Sequence, residues 1–246
     1  MKGPDGQGNA GVRQAFEGFE REKGSVQAVM FDLDGTLIDS IPTYFRIVAA
    51  MLDEVGLPQA PREAVAAMIK EGMTGFRHLI PGSMAHRREE LIEACMRAGK
   101  EISARIYSDS VGLIPGVQTL FQRLKESGLR IGIVTASHTR FIDRKLLPLK
   151  EAGIHELIDA VIVIEDTTKM KPDPEPVMAC ARRLRVEEGR SVYVGDADVD
   201  MMAGRRAGTF TVGVLTGVDD YDALAANGPD LIVQGVRDLV PWFAAG

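Results

Sequence analysis

Residues 26–40 read VQAVMFDLDGTLIDS. Val26, Ala28, Val29, Met30 and Phe31 make a short apolar run, the pattern of a buried strand in a parallel sheet. The run stops on two acids one residue apart, Asp32 and Asp34, and Gly35 follows where a tight turn needs it. In an open α/β sheet, ligands sit at the carboxyl ends of the strands. Two carboxylates there repel unless positive charge joins them. A hard divalent cation with oxygen ligands answers that need. A solvated acidic turn is the plainer alternative, because Asp and Gly favour turns anyway.

Working outward, the lead before this strand, residues 1–24, is polar and glycine-bearing. It is expected to be a flexible lead, its first dozen residues mobile, with a helical turn or two open to Val12–Glu22. Beyond the strand, residues 41–112 read as helices alone: one from Pro42 to about Val55, one near 61–70, and a long one near 84–108. On the last, Leu91, Cys95, Ala98, Ile102 and Ile106 recur at three- and four-residue steps, so one stripe is apolar. Strand–helix alternation resumes at Pro115. It brings strands at RIGIVTAS (130–137), AVIVIED (160–166), SVYVGD (191–196), TFTVGVL (209–215) and Leu231–Val233. Right-handed crossovers then give an α/β fold, a doubly wound parallel sheet. The expected division is a core of residues 25–40 and 113–246 and an inserted all-helical cap of residues 41–112.

Successive strands end in reactive residue types: Asp32 and Asp34, then Thr135 and Ser137, then Lys171 in the loop after the third, then Asp196, Asp198 and Asp200. All would face one crevice. Taken singly these residues are ordinary. Thr135 and Ser137 fit strand-end caps, Lys171 a solvated loop lysine, Asp198 an N-cap, and Asp200 a first-turn acid. Their recurrence in order is the signal.

That order resembles the haloacid dehalogenase-like hydrolases. FDLDGTLIDS resembles their first motif, DxDGT; IVTAS the second, a strand ending in Ser or Thr; KPDPEP the third, a Lys; and VGDADVD the fourth, GDxxxD. The resemblance runs from about Val26 to Gly208. It implies that Asp32 is a nucleophile forming an aspartyl phosphate and that Asp34 is the acid and base. It implies Mg²⁺ held by Asp32, Asp196 and the backbone carbonyl of Asp34, with Asp200 supporting the metal through water or Lys171. It also implies a cap that closes over the site.

Charge alone requires a cation and donors, since a phosphate monoester and a carboxylate nucleophile are both anions. Lys171, the Thr135 hydroxyl and the Ala136 N–H suit the phosphoryl oxygens. In the glycine-rich stretch 72–82, Arg77 is the candidate for a second anionic group on the substrate, its alternative being a surface arginine. His78, Lys70 and His138 are weaker candidates.

The expected activity is Mg²⁺-dependent hydrolysis of a small phosphorylated metabolite, phosphoglycolate-like or a sugar phosphate. A phosphotransferase of the β-phosphoglucomutase type keeps both acids and stays open. A receiver-like phospho-accepting module is short and lacks a helical insertion. A dehalogenase has no need of Asp34, and a phosphonatase needs a cap lysine for which only Lys70 and Lys100 offer themselves.

Composition sets outer limits. The chain has 246 residues, 45% of them hydrophobic, enough for a core domain and a smaller one. A formal net charge of −6 argues against an electrostatic grip on nucleic acid. No apolar run approaches a membrane span, and the first residues lack the apolar core of a signal peptide, so a cytoplasmic protein is expected. Cys95 and Cys180, without a CxxC or Cys/His cluster, read as buried thiols.

Overall fold

The computed structural model describes residues 9–106 and 111–243. They fall in two compact units, one formed by the chain up to Asp39 and from Leu113 onward, the other by Ser40–Gly112.

The first unit carries a six-stranded parallel sheet: β1 (Ala28–Phe31), β2 (Arg130–Val134), β3 (Ala160–Ile162), β4 (Ser191–Gly195), β5 (Phe210–Val214) and β6 (Leu231–Val233). Their spatial order is β3-β2-β1-β4-β5-β6. Every residue of β1, β4 and β5 is buried, as a sheet covered on both faces demands. Register is set at β1, where Ala28 pairs Arg130 on one side and Ser191 on the other, and Phe31 pairs Ile133 and Val194. The chain winds from β1 to β3 in one direction and from β4 to β6 in the other. The reversal falls between β1 and β4, where such sheets open a crevice.

Helices of this unit are amphipathic. On α5 (Val117–Glu126), Val117, Leu120, Phe121 and Leu124 are buried at helical spacing. On α8 (Glu175–Leu184), Val177, Cys180, Ala181 and Leu184 are. Between β2 and β3 the chain forms two short helices, α6 (Thr139–Lys145) and α7 (Leu147–Glu151), with Pro148 in the first turn of the second. The strand expected over 160–166 stops at Ile162 and continues as a 3₁₀ turn, Ile164–Asp166. The closing helix is a 3₁₀ segment, Val236–Trp242, which contains Pro241.

The flexible lead needs correcting. Asn9–Lys23 forms a helix, α1, and Phe16 is buried. Its ring lies 3.5 Å from that of Trp242 and 4.4 Å from that of Phe210, centroid to centroid. The partners come from the far end of the chain, so no local pattern announced them. Residues 1–8 of the expected lead lie outside the described residues.

The second unit is helical: α2 (Ile41–Val55), α3 (Arg62–Glu71), 3₁₀ segments over Gly72–Leu79 and Gly82–Arg87, and α4 (Arg88–Ile106). Residues 107 and 108, the expected end of α4, lie outside the described residues. Ile47, Met51, Leu52, Val65, Met68, Leu91, Cys95 and Ile102 form its core. Both cysteines are buried and free.

Candidate active site

β1 hands over to Asp32 directly, and the Asp32 N–H continues the ladder to Val194 O at 2.8 Å. One strand across, β4 ends at Gly195 and Asp196 follows. The helix after it, α9 (Asp198–Ala207), brings Asp200 back from its first turn. Carboxylate oxygens of Asp32, Asp196 and Asp200 all lie within 4.8 Å of one another, and all three residues are buried.

Each acid has its own donors. Lys171 Nζ bridges Asp32 Oδ1 at 2.5 Å and Asp200 Oδ1 at 2.6 Å. Asp200 also accepts from the Tyr193 hydroxyl at 2.9 Å and from the Ala197 N–H at 3.1 Å. Asp196 accepts from the Thr36 hydroxyl and from the Val218 N–H, both at 2.8 Å.

Burial pushes the Asp32 carboxyl up to about 7; Lys171 works against the shift, while the charges of Asp200 and Asp34 add to it. Burial, and then the charges of Asp32 and Asp200, hold Asp196 well above the usual carboxylate range. Lys171 is held above its ordinary value: burial opposes its charge, but Asp200 and Asp32 outweigh burial.

An all-oxygen donor set that is buried and over-rich in negative charge fits a hard divalent cation such as Mg²⁺. The approach is tight. A Cβ on Gly217 would stand 1.8 Å from Asp196 Oδ2, and one on Gly35, whose φ is +84°, would stand 2.6 Å from the same oxygen. Gly217→Ala must therefore displace Asp196 or the loop. The expected result is a fall of about 100-fold in kcat with the fold retained, read by steady-state kinetics beside circular dichroism.

A second cluster surrounds the other acid. Lys145, at the end of α6, forms an ion pair with Asp34. The Ser137 hydroxyl donates to Asp34 Oδ2 at 3.5 Å, and the Thr135 hydroxyl donates to Ser137 Oγ at 2.9 Å. The Asp34 carboxylate is thus directed at Lys145 and Ser137 and lies outside the three-acid cluster. Thr135, Ala136 and Lys171 line one small pocket with Val134, Val163 and Met170.

The remaining candidates separate. Arg77 belongs to the helical unit, where it pairs with Glu71 at 2.6 Å and donates to Thr74 O at 3.1 Å. His78 meets the same Glu71 at 2.9 Å. The N-cap position expected for Asp198 falls to Ala197: Asp198 is the first residue of α9, its Oδ1 accepting from the adjacent Val199 N–H at 2.7 Å and its own N–H donating to Asp219 Oδ2 at 2.7 Å. His138 Nδ1 lies 2.7 Å from Glu165, whose carboxyl is held down at about 2, chiefly by the Thr139 N–H.

Sequence reading missed Thr36, Tyr193, Lys145 and the 216–218 loop. Thr36 stands inside the first motif and was the one within reach. The others touch the site only through tertiary packing.

Residues 29–214 match the haloacid dehalogenase-like hydrolase family. The chain is 32% identical over 215 residues to pyrophosphatase PpaX of Bacillus velezensis, covering 87% of this chain and 95% of that protein. It is 30% identical to a phosphoglycolate phosphatase of Shigella boydii, covering 88% and 92%. The fold is also that of a protein described as a predicted phosphoglycolate phosphatase from Haemophilus somnus: TM-score 0.77, 22% identity, 88% of this chain and 97% of that one.

Proposed function

The chain belongs to the haloacid dehalogenase-like hydrolase family, and from that premise we propose that it hydrolyses a small phosphate monoester with Mg²⁺ through an aspartyl phosphate. The observation that carries this reading is the meeting of Asp32, Asp196 and Asp200 within 4.8 Å, with one buried ammonium, Lys171, on two of them. Asp32, Asp196 and Asp200 would hold the cation, with the Asp34 carbonyl as expected from the sequence. When bound, Mg²⁺ offsets the charge that gathers on the phosphoryl oxygens.

In the reaction, Asp32 attacks phosphorus and the bond to the leaving oxygen breaks. Lys171 steadies Asp32 and the phosphoryl oxygens, and the Thr135 hydroxyl and Ala136 N–H donate to those oxygens. Asp34 delivers a proton to the leaving oxygen, then takes one from the water that attacks the acyl phosphate.

The relatives named phosphatase support a small phosphorylated metabolite as substrate. Phosphoglycolate and sugar phosphates head the test, with pyrophosphate added because of the relative named for it. A panel of these esters, run with and without Mg²⁺, should release inorganic phosphate from at least one, and only with the cation. A sugar phosphate converted to its isomer with little free phosphate would favour the phosphotransferase reading instead. Silence across the whole panel from folded protein would sink both.

A further inference from the structure

Lys145 has no place in the four motifs, yet its side chain is only 11% exposed and it is aimed at Asp34, itself 17% exposed. Burying a lysine is costly, and a buried ion pair seldom stabilises a fold better than apolar side chains of the same size. Stability is therefore a poor reason for a lysine at this position. The alternative reason lies in what it holds. Asp34 sits on the turn after β1, where Gly35 N–H donates to Ile38 O at 2.9 Å, and only its side-chain torsions decide where the carboxylate points. Lys145 fixes them from one side, and Ser137 Oγ, 3.5 Å from Asp34 Oδ2, adds a second and longer contact. Ser137 in turn accepts from Thr135, so the second acid is tied through Ser137 to a residue that lines a small pocket with Ala136 and Lys171.

We propose that Lys145 is a positioning residue for the hydrolytic half of the reaction, holding Asp34 as an oriented proton acceptor for the water that cleaves the acyl phosphate. The proposal rests on the phosphatase reading above. Once Asp34 has given its proton to the leaving oxygen, its carboxylate beside the Lys145 ammonium is an acceptor only, which is the state the second half-reaction needs. In that half, water oxygen bonds to phosphorus, the phosphorus–Asp32 bond breaks with its electron pair returning to Asp32, and the water proton passes to Asp34. Lys145 itself gives up no proton. The first half, attack by Asp32, does not depend on this orientation when the leaving group is a good one.

The two halves separate kinetically. With p-nitrophenyl phosphate, Lys145→Met and Lys145→Gln should release one nitrophenolate per site in a burst and then turn over slowly. The expected kcat falls at least tenfold while kcat/KM stays within about threefold, because kcat/KM reports only the first half. Lys145→Arg should restore most of kcat. Acid-quenched Lys145→Gln should carry stoichiometric phosphate on the protein. Equal losses in kcat and kcat/KM without a burst, or unchanged kinetics, overturn the proposal. So would a Lys145→Arg variant as slow as Lys145→Gln at the same melting temperature. If the unmutated protein hydrolyses no phosphate ester, the phosphatase reading itself is what has failed, and the proposal falls with it.

Discussion

Asp32→Asn is expected to lower kcat by about 10⁴-fold or more while leaving the melting temperature unchanged or raised. An amide has nearly the shape of the carboxylate but no anionic oxygen to attack phosphorus. In most buried ion pairs, deleting one partner destabilises, because a charge is left alone. Here it is not left alone. Lys171 keeps Asp200 at 2.6 Å, and Asp32 is the acid that burial already pushes up to about 7. A neutral side chain at position 32 also relieves repulsion from Asp196, which is within 4.8 Å. Catalysis and stability should therefore move apart, and steady-state kinetics beside a thermal melt reads both. A melting temperature that falls with activity would mean that Asp32 holds the fold, and the nucleophile assignment would lose its support.

How far the sequence anticipated this arrangement depends on distance along the chain. The β1 run and its acids are local, so VMFDLD announced a strand and a site together. Asp196 and Asp200 were legible because the strand before them is also a local pattern, SVYVGD. The all-helical stretch 41–112 was legible from periodicity, as the core of Met51, Leu52, Leu91, Cys95 and Ile102 shows. What failed were features set by remote partners. Helix α1 has too sparse an apolar face to be read alone, and its Phe16 is buried by Phe210 and Trp242. Nothing in the glycine-rich stretch announced the Arg77–Glu71 ion pair at 2.6 Å. Lys145 went unremarked, since a sequence shows that a lysine is present but not that it is buried.

Lys171→Met tests the opposite balance from Asp32→Asn, and its largest effect is on stability. The lysine side chain is 8% exposed, and its partners Asp32 and Asp200 are 10% and 2% exposed. Methionine fills much of the same volume but supplies no charge, so the two acids, with Asp196 beside them, face one another without the ammonium. Breaking a buried pair in this way costs about 3–5 kcal/mol, which corresponds to a fall of about 10 °C in melting temperature for a chain of this size. The sign of the pH dependence follows from the same charges. An acid whose folded pKa is raised above its unfolded value binds more protons folded than unfolded, so it loses stability as pH rises through that window. For Asp32 the window runs from the ordinary carboxylate range to about 7 with Lys171 in place, and it reaches higher without the lysine. The destabilisation of Lys171→Met should accordingly be largest above neutral pH and shrink toward pH 5, as protons replace the missing cation. Asp200→Asn in the same background should recover part of the loss at pH 8. If Lys171→Met melts with the unmutated protein across this whole range, the ammonium does not balance the three acids, and the electrostatic account of the site is wrong.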